Sequence, residues 1–399
     1  MSRGRVLFVA GNLPSPPSWG AGMRIYQLLR QVAATCDVTL LCHQMPWQSV
    51  AESDLGDLCE QITALTRERS GDVRRRFDQA SGLLSRLPFQ ARELWSAPMQ
   101  EHLTRSIADG GFDVVHVESS AMMPFDFGRA TVVLDEHNIE SELLERMQDG
   151  ESSTARRAFN RLEAAKYRAF ERRAWTGVAG VAVTSAREVV EVHRRAPATP
   201  TAVVPNGVDP DVFSPGPAAP TSGIVFNGLL SYRPNLDGIR FFLTEVAPLV
   251  RRSHPGVEIT VVGSGTDAEI AQLRALGATV TGFVPDVRPY LRQAACVVVP
   301  IRMGGGTRLK VVEALSLAKP VVSTSLGCEG IRVRPDEHLL VADRPADLAA
   351  AVARVLDDAA LRERLGRAGR QLAVEHYSWQ RCAEPLLELY EQVRERARA

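Results

Sequence analysis

The sequence predicts an α/β protein with two doubly wound parallel-sheet domains, and three observations support this prediction. Short apolar runs rich in valine alternate with longer helical patterns, which is typical of βαβ units. The alternation stops at residues 209–223, where four prolines and two glycines indicate a linker, and then begins again. The 399 residues also exceed one ordinary core and suit two domains.

The predicted elements follow from these patterns in chain order. Strands of the first half are predicted at Arg5–Ala10, Val38–Cys42, Val114–Val117, Thr131–Asp135 and Gly180–Thr184. Strands of the second half are predicted at Gly223–Asn227, Glu258–Gly263, Val280–Thr281, Cys296–Pro300, Pro320–Ser323 and Leu339–Val341. Helices are predicted at Arg24–Ala34, Ser153–Trp175, Arg308–Ala318, Pro345–Asp357, Ala360–Glu375 and Trp379–Arg396. The domains are therefore expected at 1–208 and 223–378, with a linker at 209–222 and a ligand crevice at the carboxyl ends of the strands.

Composition excludes several classes of protein. The formal net charge is zero, so we expect no nucleic-acid partner. No apolar run approaches the roughly 18 residues of a spanning helix, and the N-terminal run VLFVA is better explained as a buried strand than as a signal peptide. We therefore expect a cytoplasmic protein. The six cysteines form no C-x-x-C pair, which favours free, buried thiols over a zinc site.

The segment Pro300–Leu315 is the strongest candidate for chemistry. Three glycines between a strand and a helix let backbone N–H groups approach an anion closely, and the helix N-terminus adds partial positive charge. Arg308 and Lys310 add two cations, and Glu313 lies about one turn further on, where a carboxylate would accept hydrogen bonds from ribose hydroxyls. The segment fits a nucleoside diphosphate, although it lacks the P-loop spacing. The alternative is a flexible surface turn followed by a helix with solvated charges.

The stretch Pro300–Gly330 resembles the donor-binding signature of retaining GT-B glycosyltransferases (group 1, family 4), which include sucrose synthases and bacterial mannosyl- and glucosyltransferases. It more closely resembles an exopolysaccharide-type bacterial subgroup with G-G-G-T-R-x-K-x-x-E-A followed by P-V-V-[SA]-T. Further matching pieces are Pro14-x-Pro16-Pro17, Gly20, Arg24, Asp135–Asn138, Val204–Asp209, Asn227-Gly228, Val262-Gly263 and Gly282–Asp286. The resemblance covers nearly the whole chain and is weakest over about 45–110.

The resemblance implies two facing Rossmann-like domains with an interdomain cleft, the first on the acceptor side and the second binding the nucleotide sugar. The C-terminal helix, 379–399, would pack back on the first domain. It also implies metal-independent, retaining, hexosyltransferase-type transfer from a nucleotide-diphosphate sugar, a co-substrate, with no other cofactor. Residues implied to bind the donor are Gly20, Gly22, Gly228, Gly263, Val284, Asp286, Gly304, Gly305, Gly306, Thr307, Arg308, Lys310 and Glu313. Arg308 and Lys310 would act in catalysis by stabilising the departing diphosphate.

Two departures from the family pattern bear on this assignment. The family often carries two glutamates eight positions apart, but position 305 is glycine and only Glu313 is present. Sugar recognition must then be arranged differently, for example through backbone N–H groups of residues 304–307. Leu229 and Asn235 also replace the arginine and lysine that usually follow the first strand of the second domain. Arg233 is a candidate substitute, and a solvated loop arginine is the alternative.

Candidates in the first domain follow two neighbouring strands. Many relatives have His-x-His after the fourth strand, and here His116 is followed by Glu118, which would hydrogen-bond a sugar hydroxyl or orient the acceptor. His116 alternatively has only a structural role within its strand. After the next strand, His137 and Asn138 are expected to contact the acceptor or the sugar rather than form only a turn. We thus assign Glu118 and His137 as catalytic candidates, and Arg24, His116 and Asn138 as acceptor-binding candidates.

Two basic stretches bear on the acceptor. Residues 66–92 contain seven arginines and three acids, and residues 154–175 contain seven cations and two acids. Such a surface suits peripheral contact with anionic lipid at the inner face of the cell membrane, although basic runs are also typical of solvated helix faces. The acceptor hydroxyl would belong to a glycan, a lipid-linked molecule or a small molecule, in polysaccharide, glycolipid or natural-product glycoside biosynthesis.

Two other functions stay open at this point. A catalytically degenerate nucleotide-sugar-binding partner subunit is favoured by Gly305. A nucleotide-sugar 2-epimerase on the same fold would need acid/base carboxylates around the sugar, and no clear set is evident in the sequence.

Overall fold

A computed structural model describes residues 3–14, 20–67, 82, 85–149, 153–216 and 222–398. The chain forms two compact units. The first unit contains residues 1–205 and 382–399, and the second contains residues 206–381. In the described ranges, no helix is both long enough and apolar enough to cross a membrane.

The first unit is built on a seven-stranded sheet in the order β3-β2-β1-β4-β5-β6-β7, with every pair parallel. The strands are β1 Gly4–Ala10, β2 Cys36–Gln44, β3 Gln61–Thr66, β4 Val114–Glu118, β5 Val132–Glu136, β6 Gly180–Val183 and β7 Thr201–Val203. The strand order reverses between β1 and β4, which is where open α/β sheets place ligands. The sequence did not predict β3 and β7, because these edge strands are only partly buried and lack a continuous apolar run.

Helices cover this sheet and bury its apolar side chains. They are α1 Gly20–Ala33, α2 Leu55–Leu58, α3 Phe89–Leu94, α4 Ala97–Gly110, α5 Glu140–Asp149, α6 Thr154–Thr176 and α7 Ala186–Arg195, with short 3₁₀ turns at Val50–Glu52 and Ser120–Met122. Local signals set some of the ends, since Ser96 caps α4 and Ser153 caps α6 through their side-chain oxygens. The core includes Leu7, Val115 and Leu134 from the strands and the fully buried Trp175 from α6.

The second unit repeats the architecture with six parallel strands in the order β10-β9-β8-β11-β12-β13. The strands are β8 Ser222–Asn227, β9 Ile259–Val262, β10 Thr279–Val280, β11 Ala294–Val299, β12 Val321–Ser323 and β13 Leu340–Val341. The helices are α8 Arg233–Phe241, α9 Ala247–Ser253, α10 Asp267–Ala275, α11 Arg288–Gln293, α12 Leu309–Ser316, α13 Pro345–Asp357 and α14 Ala359–His376, with a π-helical segment at Phe242–Val246. All six strands lie within two residues of their predicted positions, and the predicted fold class is confirmed.

The last helix, α15 Trp379–Arg398, contributes its residues from Cys382 onward to the first unit. A Cβ atom on Gly180 of β6 would lie 3.0 Å from Leu389, so the helix packs closely on that sheet. The chain thus returns to its first sheet after completing the second.

The first helix begins earlier in the chain than predicted. Helix α1 begins at Gly20 rather than at Arg24, so Gly20 and Gly22 lie in its first turn and not in a preceding loop. Most of the P-x-P-P motif, residues 15–17, and most of the basic stretch 66–92 lie outside the described residues.

Candidate functional site

The glycine-rich segment connects β11 to α12 at the carboxyl end of the second sheet. Gly304 and Gly306 have φ angles of 119° and 67°, which residues with a Cβ atom rarely adopt. Arg308 occupies the N-cap position of α12 in an extended conformation. The loop turn therefore depends on its glycines, as the sequence pattern suggested.

Two polar side chains hold this loop. Asn206 donates from its backbone N–H to the Thr307 hydroxyl at 3.3 Å and from its side-chain amide to the Thr307 carbonyl at 2.9 Å. Thr307 is buried, so its observed role is to anchor the loop rather than to present a hydroxyl to a ligand. The guanidinium of Arg308 donates to the carbonyl oxygens of Gly305 and Gly306.

Lys310 projects from the first turn of α12 towards the end of β8. Its Nζ donates to Oδ1 of Asn235 at 2.8 Å and lies 4.2 Å from the ring centroid of Phe226. Burial, with a smaller contribution from the charge of Arg308, lowers the pKa of Lys310 to about 7. The cation predicted from the sequence is therefore held in a low-dielectric environment at the strand end.

Glu313 lies one turn beyond Lys310 on the same face of α12. Its Oε2 is 3.5 Å from the Nδ2 atom of Asn227, the last residue of β8. Burial raises the pKa of Glu313 to about 7, although Lys310 and Asn227 both oppose this shift. Lys310 and Glu313 thus converge on the end of one strand, as their spacing predicted.

Two further donor-site glycines allow close backbone packing. A Cβ atom on Gly263 would lie 2.0 Å from the carbonyl oxygen of Gly228, so the turns after β8 and β9 can meet only with glycine at position 263. Gly228 donates its N–H to Val262 at 2.9 Å. These glycines shape the strand ends around Lys310.

The remaining donor-site candidates of the second unit have other contacts. Asp286 forms an ion pair with Arg288 at 2.7 Å, and this hydrogen bond lowers the pKa of Asp286. Val284 is half-buried in the same turn after β10. The observed interaction of Asp286 orients the start of α11 and gives no direct link to Lys310.

In the first unit, Glu118 and His137 lie at the ends of the neighbouring strands β4 and β5. One carboxylate oxygen of Glu118 is 2.7 Å from Nε2 of His137, and the other is 3.0 Å from Nε2 of His116. The hydroxyl of Tyr390, from α15, is 2.7 Å from Nδ1 of His116. Together these contacts form a network that runs from Tyr390 through His116 and Glu118 to His137.

The members of this network differ in their exposure to solvent. His116 has no exposed surface, stacks on Phe8, and has both ring nitrogens engaged. Direct contact of His116 with an acceptor, as first expected, does not fit this position, and the alternative of a structural strand histidine does. His137 retains 14% exposure of its side chain and is the accessible end of the network.

Arg24 also differs from its expected role in acceptor binding. Its guanidinium makes two hydrogen bonds to Asp135, at 2.6 and 2.8 Å, and a third to the carbonyl of Val204 at 2.8 Å. Arg24 is 1% exposed because α1 presents it to the sheet rather than to solvent. The observed role of Arg24 is to fix Asp135, which lies 3.6 Å from His137.

The pKa values of Glu118 and His137 are shifted in opposite directions. Burial opposes ionisation of Glu118, but His116 and His137 outweigh it and lower the pKa of this carboxyl. Burial likewise lowers the pKa of His137, but the hydrogen bond and charge of Glu118 outweigh it and produce a net rise. Asn138, half-buried beside His137, hydrogen-bonds to Glu140. The carboxylate of Glu118 therefore polarises the imidazole ring of His137.

A metal ion is the other group that this cluster suggests. His116, Glu118 and Asp135 have ligand atoms within 4.8 Å of one another in the part of the chain that the structure describes. However, both oxygens of Glu118 accept from histidines and both oxygens of Asp135 accept from Arg24. The carboxylate oxygens that would bind a metal are therefore already hydrogen-bonded to protein side chains. The guanidinium of Arg24 would also repel a cation.

Three participants were not predicted from the sequence. Tyr390 reaches His116 across 274 positions of the chain, and only the apolar stripe of the last helix hinted that it is buried. Asn235 was noted as a departure from the family pattern, but not as the partner of Lys310. Phe226 looked like an ordinary core residue of β8.

Two family models match the chain. The model described as Glycosyltransferase Family 4 matches residues 19–212, and the model described as Glycosyl transferases group 1 matches residues 221–358. Only residues 1–18, 213–220 and 359–399 lie outside these ranges. The glycogen synthase of Mycobacterium tuberculosis is 30% identical over 202 residues, which cover 47% of each chain. The chain thus spans about half the length of the curated relatives it matches.

Solved structures show the same fold over the whole chain. Sucrose-phosphate synthase from Thermosynechococcus elongatus superposes with a TM-score of 0.72 at 18% identity and covers 100% of both chains. The Anabaena protein HepE in complex with UDP superposes with a TM-score of 0.62 at 13% identity over 97% of this chain and 100% of its own. At these identities the likeness concerns the fold, which is GT-B. The two family models, rather than the fold alone, show that the chain belongs to the glycosyltransferases of family 4 and group 1.

Proposed function

We propose that this protein transfers a sugar from a nucleotide-diphosphate donor to a hydroxyl acceptor, with retention at the anomeric carbon and without a metal ion. The main observation that supports this proposal is that Lys310 and Glu313 converge on the end of β8, next to a glycine-rich loop and Arg308. Similarity to HepE, which was solved with UDP, supports a nucleotide-sugar donor.

The roles of the side chains follow from charge. Lys310 and Arg308 supply the positive charge that the departing diphosphate needs, which a divalent cation provides in other transferases. Glu313 accepts hydrogen bonds from the ribose hydroxyls. The acceptor oxygen bonds to the anomeric carbon on the face from which the diphosphate departs, the bond between sugar and diphosphate breaks, and the hydroxyl proton passes to the departing diphosphate. This front-face attack gives retention without a covalent intermediate. His137, polarised by Glu118, contacts the sugar or acceptor hydroxyl at this step.

We also propose that the acceptor is held at the cytoplasmic face of a membrane, as in polysaccharide or glycolipid assembly. The observation that supports this is the exposed face of α6, which carries six arginines, while the two acids of the helix, Glu163 and Glu171, are buried. Binding to anionic vesicles is the direct test of this part of the proposal.

The test of the activity is an assay of the purified protein with a panel of UDP- and GDP-sugars, read by mass spectrometry. Transfer to an added acceptor, or slow release of free sugar, supports the transferase. Isomerisation of the donor would instead indicate an epimerase. Binding without turnover would indicate a degenerate partner subunit, the alternative that Gly305 favours.

The residue assignment has its own test in the same assay. We expect Lys310→Ala and Arg308→Ala each to lower turnover at least about tenfold, which corresponds to about 1.4 kcal/mol in the barrier. Arg302→Ala is the matched control, because Arg302 belongs to the same segment but is paired with Asp237. Wild-type turnover in both active-site variants would refute the assignment of the diphosphate site.

A further inference from the structure

We propose that Asn235 is the residue that positions Lys310 for the diphosphate. This inference rests on the proposed function, because it takes Lys310 as a diphosphate cation. Asn235 lies in the first turn of α8 and is 8% exposed.

The amide of Asn235 has a fixed orientation. Its Oδ1 accepts from Nζ of Lys310 at 2.8 Å, and its Nδ2 donates to the carbonyl of Leu229 at 2.9 Å. An ammonium group offers only donors and a carbonyl offers only an acceptor, so the reversed amide would oppose donor to donor and acceptor to acceptor. The turn after β8 therefore aims the oxygen of Asn235 at Lys310.

Two other groups confine the same ammonium. The ring of Phe226 lies 4.2 Å from Nζ of Lys310, close enough for a cation–π interaction. A Cβ atom on Gly228 would lie only 2.6 Å from this Nζ atom and 2.8 Å from Nδ2 of Asn235. Phe226, Gly228 and Asn235 thus closely surround the ammonium group of Lys310.

Confinement matters because lysine is flexible. An unrestrained lysine side chain loses rotamer entropy when a ligand orders it. Asn235 orders Lys310 before the donor arrives, so less of the binding free energy is lost in this way.

Asn235 is also uncharged, which affects the charge that Lys310 can offer to a ligand. The charged groups facing Lys310 are Arg308 from the loop and Glu313 from α12, and the contact of Glu313 is with Asn227. A carboxylate at position 235 would form a close ion pair with Lys310 and compete with the diphosphate. An amide holds the same geometry and leaves the lysine charge available to the ligand.

The test is a double-mutant cycle read by isothermal titration calorimetry with UDP, GDP and ADP as probes. We expect Asn235→Ala to weaken binding of the nucleotide that the wild type binds by about tenfold, and Lys310→Ala to weaken it at least as much. If Asn235 acts through Lys310, the double variant should bind no more weakly than Lys310→Ala alone. A purely structural role for Asn235 would instead give additive losses.

Two further variants complete the design. Gln272→Ala removes a different side-chain amide of the same unit, one that accepts from Arg240, and should bind like the wild type. Asn235→Asp keeps the size of the side chain, so it remains informative if Asn235→Ala fails to fold. We expect Asn235→Asp to weaken binding, because its carboxylate competes with the diphosphate.

The outcomes separate this inference from the proposed function. Nucleotide binding by the wild type with additive losses, or with no effect of Asn235→Ala, would overturn the role of Asn235 alone. Absence of binding to all three probes by the wild type would remove the proposed function and this inference with it.

Discussion

Lys310 and Glu313 ordinarily titrate far apart, yet burial brings the pKa of each to about 7. A low-dielectric site disfavours the charged form of both groups, which lowers the pKa of the lysine and raises that of the glutamate. Their mutual attraction opposes these shifts without cancelling them. The charge of the site therefore changes near neutral pH.

A pH dependence of nucleotide binding follows from the shift of Lys310. In the free protein Lys310 is charged below pH 7 and loses its proton as the pH rises through about 7. A bound diphosphate favours the charged form, so binding above this pH takes up a proton and becomes weaker as pH rises. Calorimetry between about pH 7 and 9, in buffers of different ionisation enthalpy, measures both effects.

The control for this experiment is Lys310→Arg, because arginine stays charged throughout this range. We expect its nucleotide affinity to vary less with pH than that of the wild type. A wild-type affinity that does not change between about pH 7 and 9 would contradict the prediction.

At the scale of elements, helix α6 separates its charges between its two sides. Glu163 is paired with Lys166 at 2.7 Å, and Glu171 accepts from Ser141 and Arg195, so both acids face the interior. The exposed arginines are Arg156, Arg157, Arg161, Arg168, Arg172 and Arg173. Of these, Arg168 is paired with Glu145 of α5. The helix therefore presents a strongly basic face.

The basic face of α6 predicts that the protein binds anionic lipid. We expect the protein to sediment with vesicles of phosphatidylglycerol and phosphatidylcholine at low salt and to be released at high salt, because salt screens exposed charges. The variant Arg156→Gln, Arg161→Gln, Arg172→Gln should lose most of this binding, at about 1 kcal/mol per arginine.

The matched control neutralises three exposed arginines of the second unit, Arg334, Arg344 and Arg367. It removes the same charge from a different surface and should bind vesicles like the wild type. No sedimentation of the wild type at low salt would end the membrane proposal.

At the scale of the whole molecule, the chain leaves the first unit at residue 205 and returns to it at residue 382. The returning part of α15 buries Leu386, Leu389 and Val393, and it supplies Tyr390 to His116. The first unit is thus discontinuous in sequence, whereas the second is continuous. The packing of the first unit therefore includes the residues of α15 from Cys382 onward.

Truncation tests this dependence. We expect a chain that ends at Arg381 to lose the folded first unit, because it exposes the apolar surface under α15 and leaves His116 without Tyr390. The second unit, residues 206–381, should keep its own unfolding transition. Differential scanning calorimetry with limited proteolysis distinguishes the two units, and the separate fragment 206–381 is the control. A truncated protein whose first unit resists proteolysis like the full chain would refute the expectation.

The sequence alone determined the two parallel sheets and the position of the glycine-rich loop. Buried parallel strands are continuous apolar runs, so β1, β4, β8 and β11 were readable without a structure, whereas the partly buried edge strands β3 and β7 were not. The spacing of Lys310 and Glu313 on one helix face was likewise local information.

Only the tertiary structure decided which side chains meet and how they are charged. Lys310 and Asn235 are 75 positions apart, and His116 and Tyr390 are 274 apart. Burial then gave His116 and Arg24 structural roles, left His137 accessible, and set the pKa values of Lys310 and Glu313. Local patterns record which face of an element is apolar, whereas partners and dielectric environment arise only when distant segments pack together.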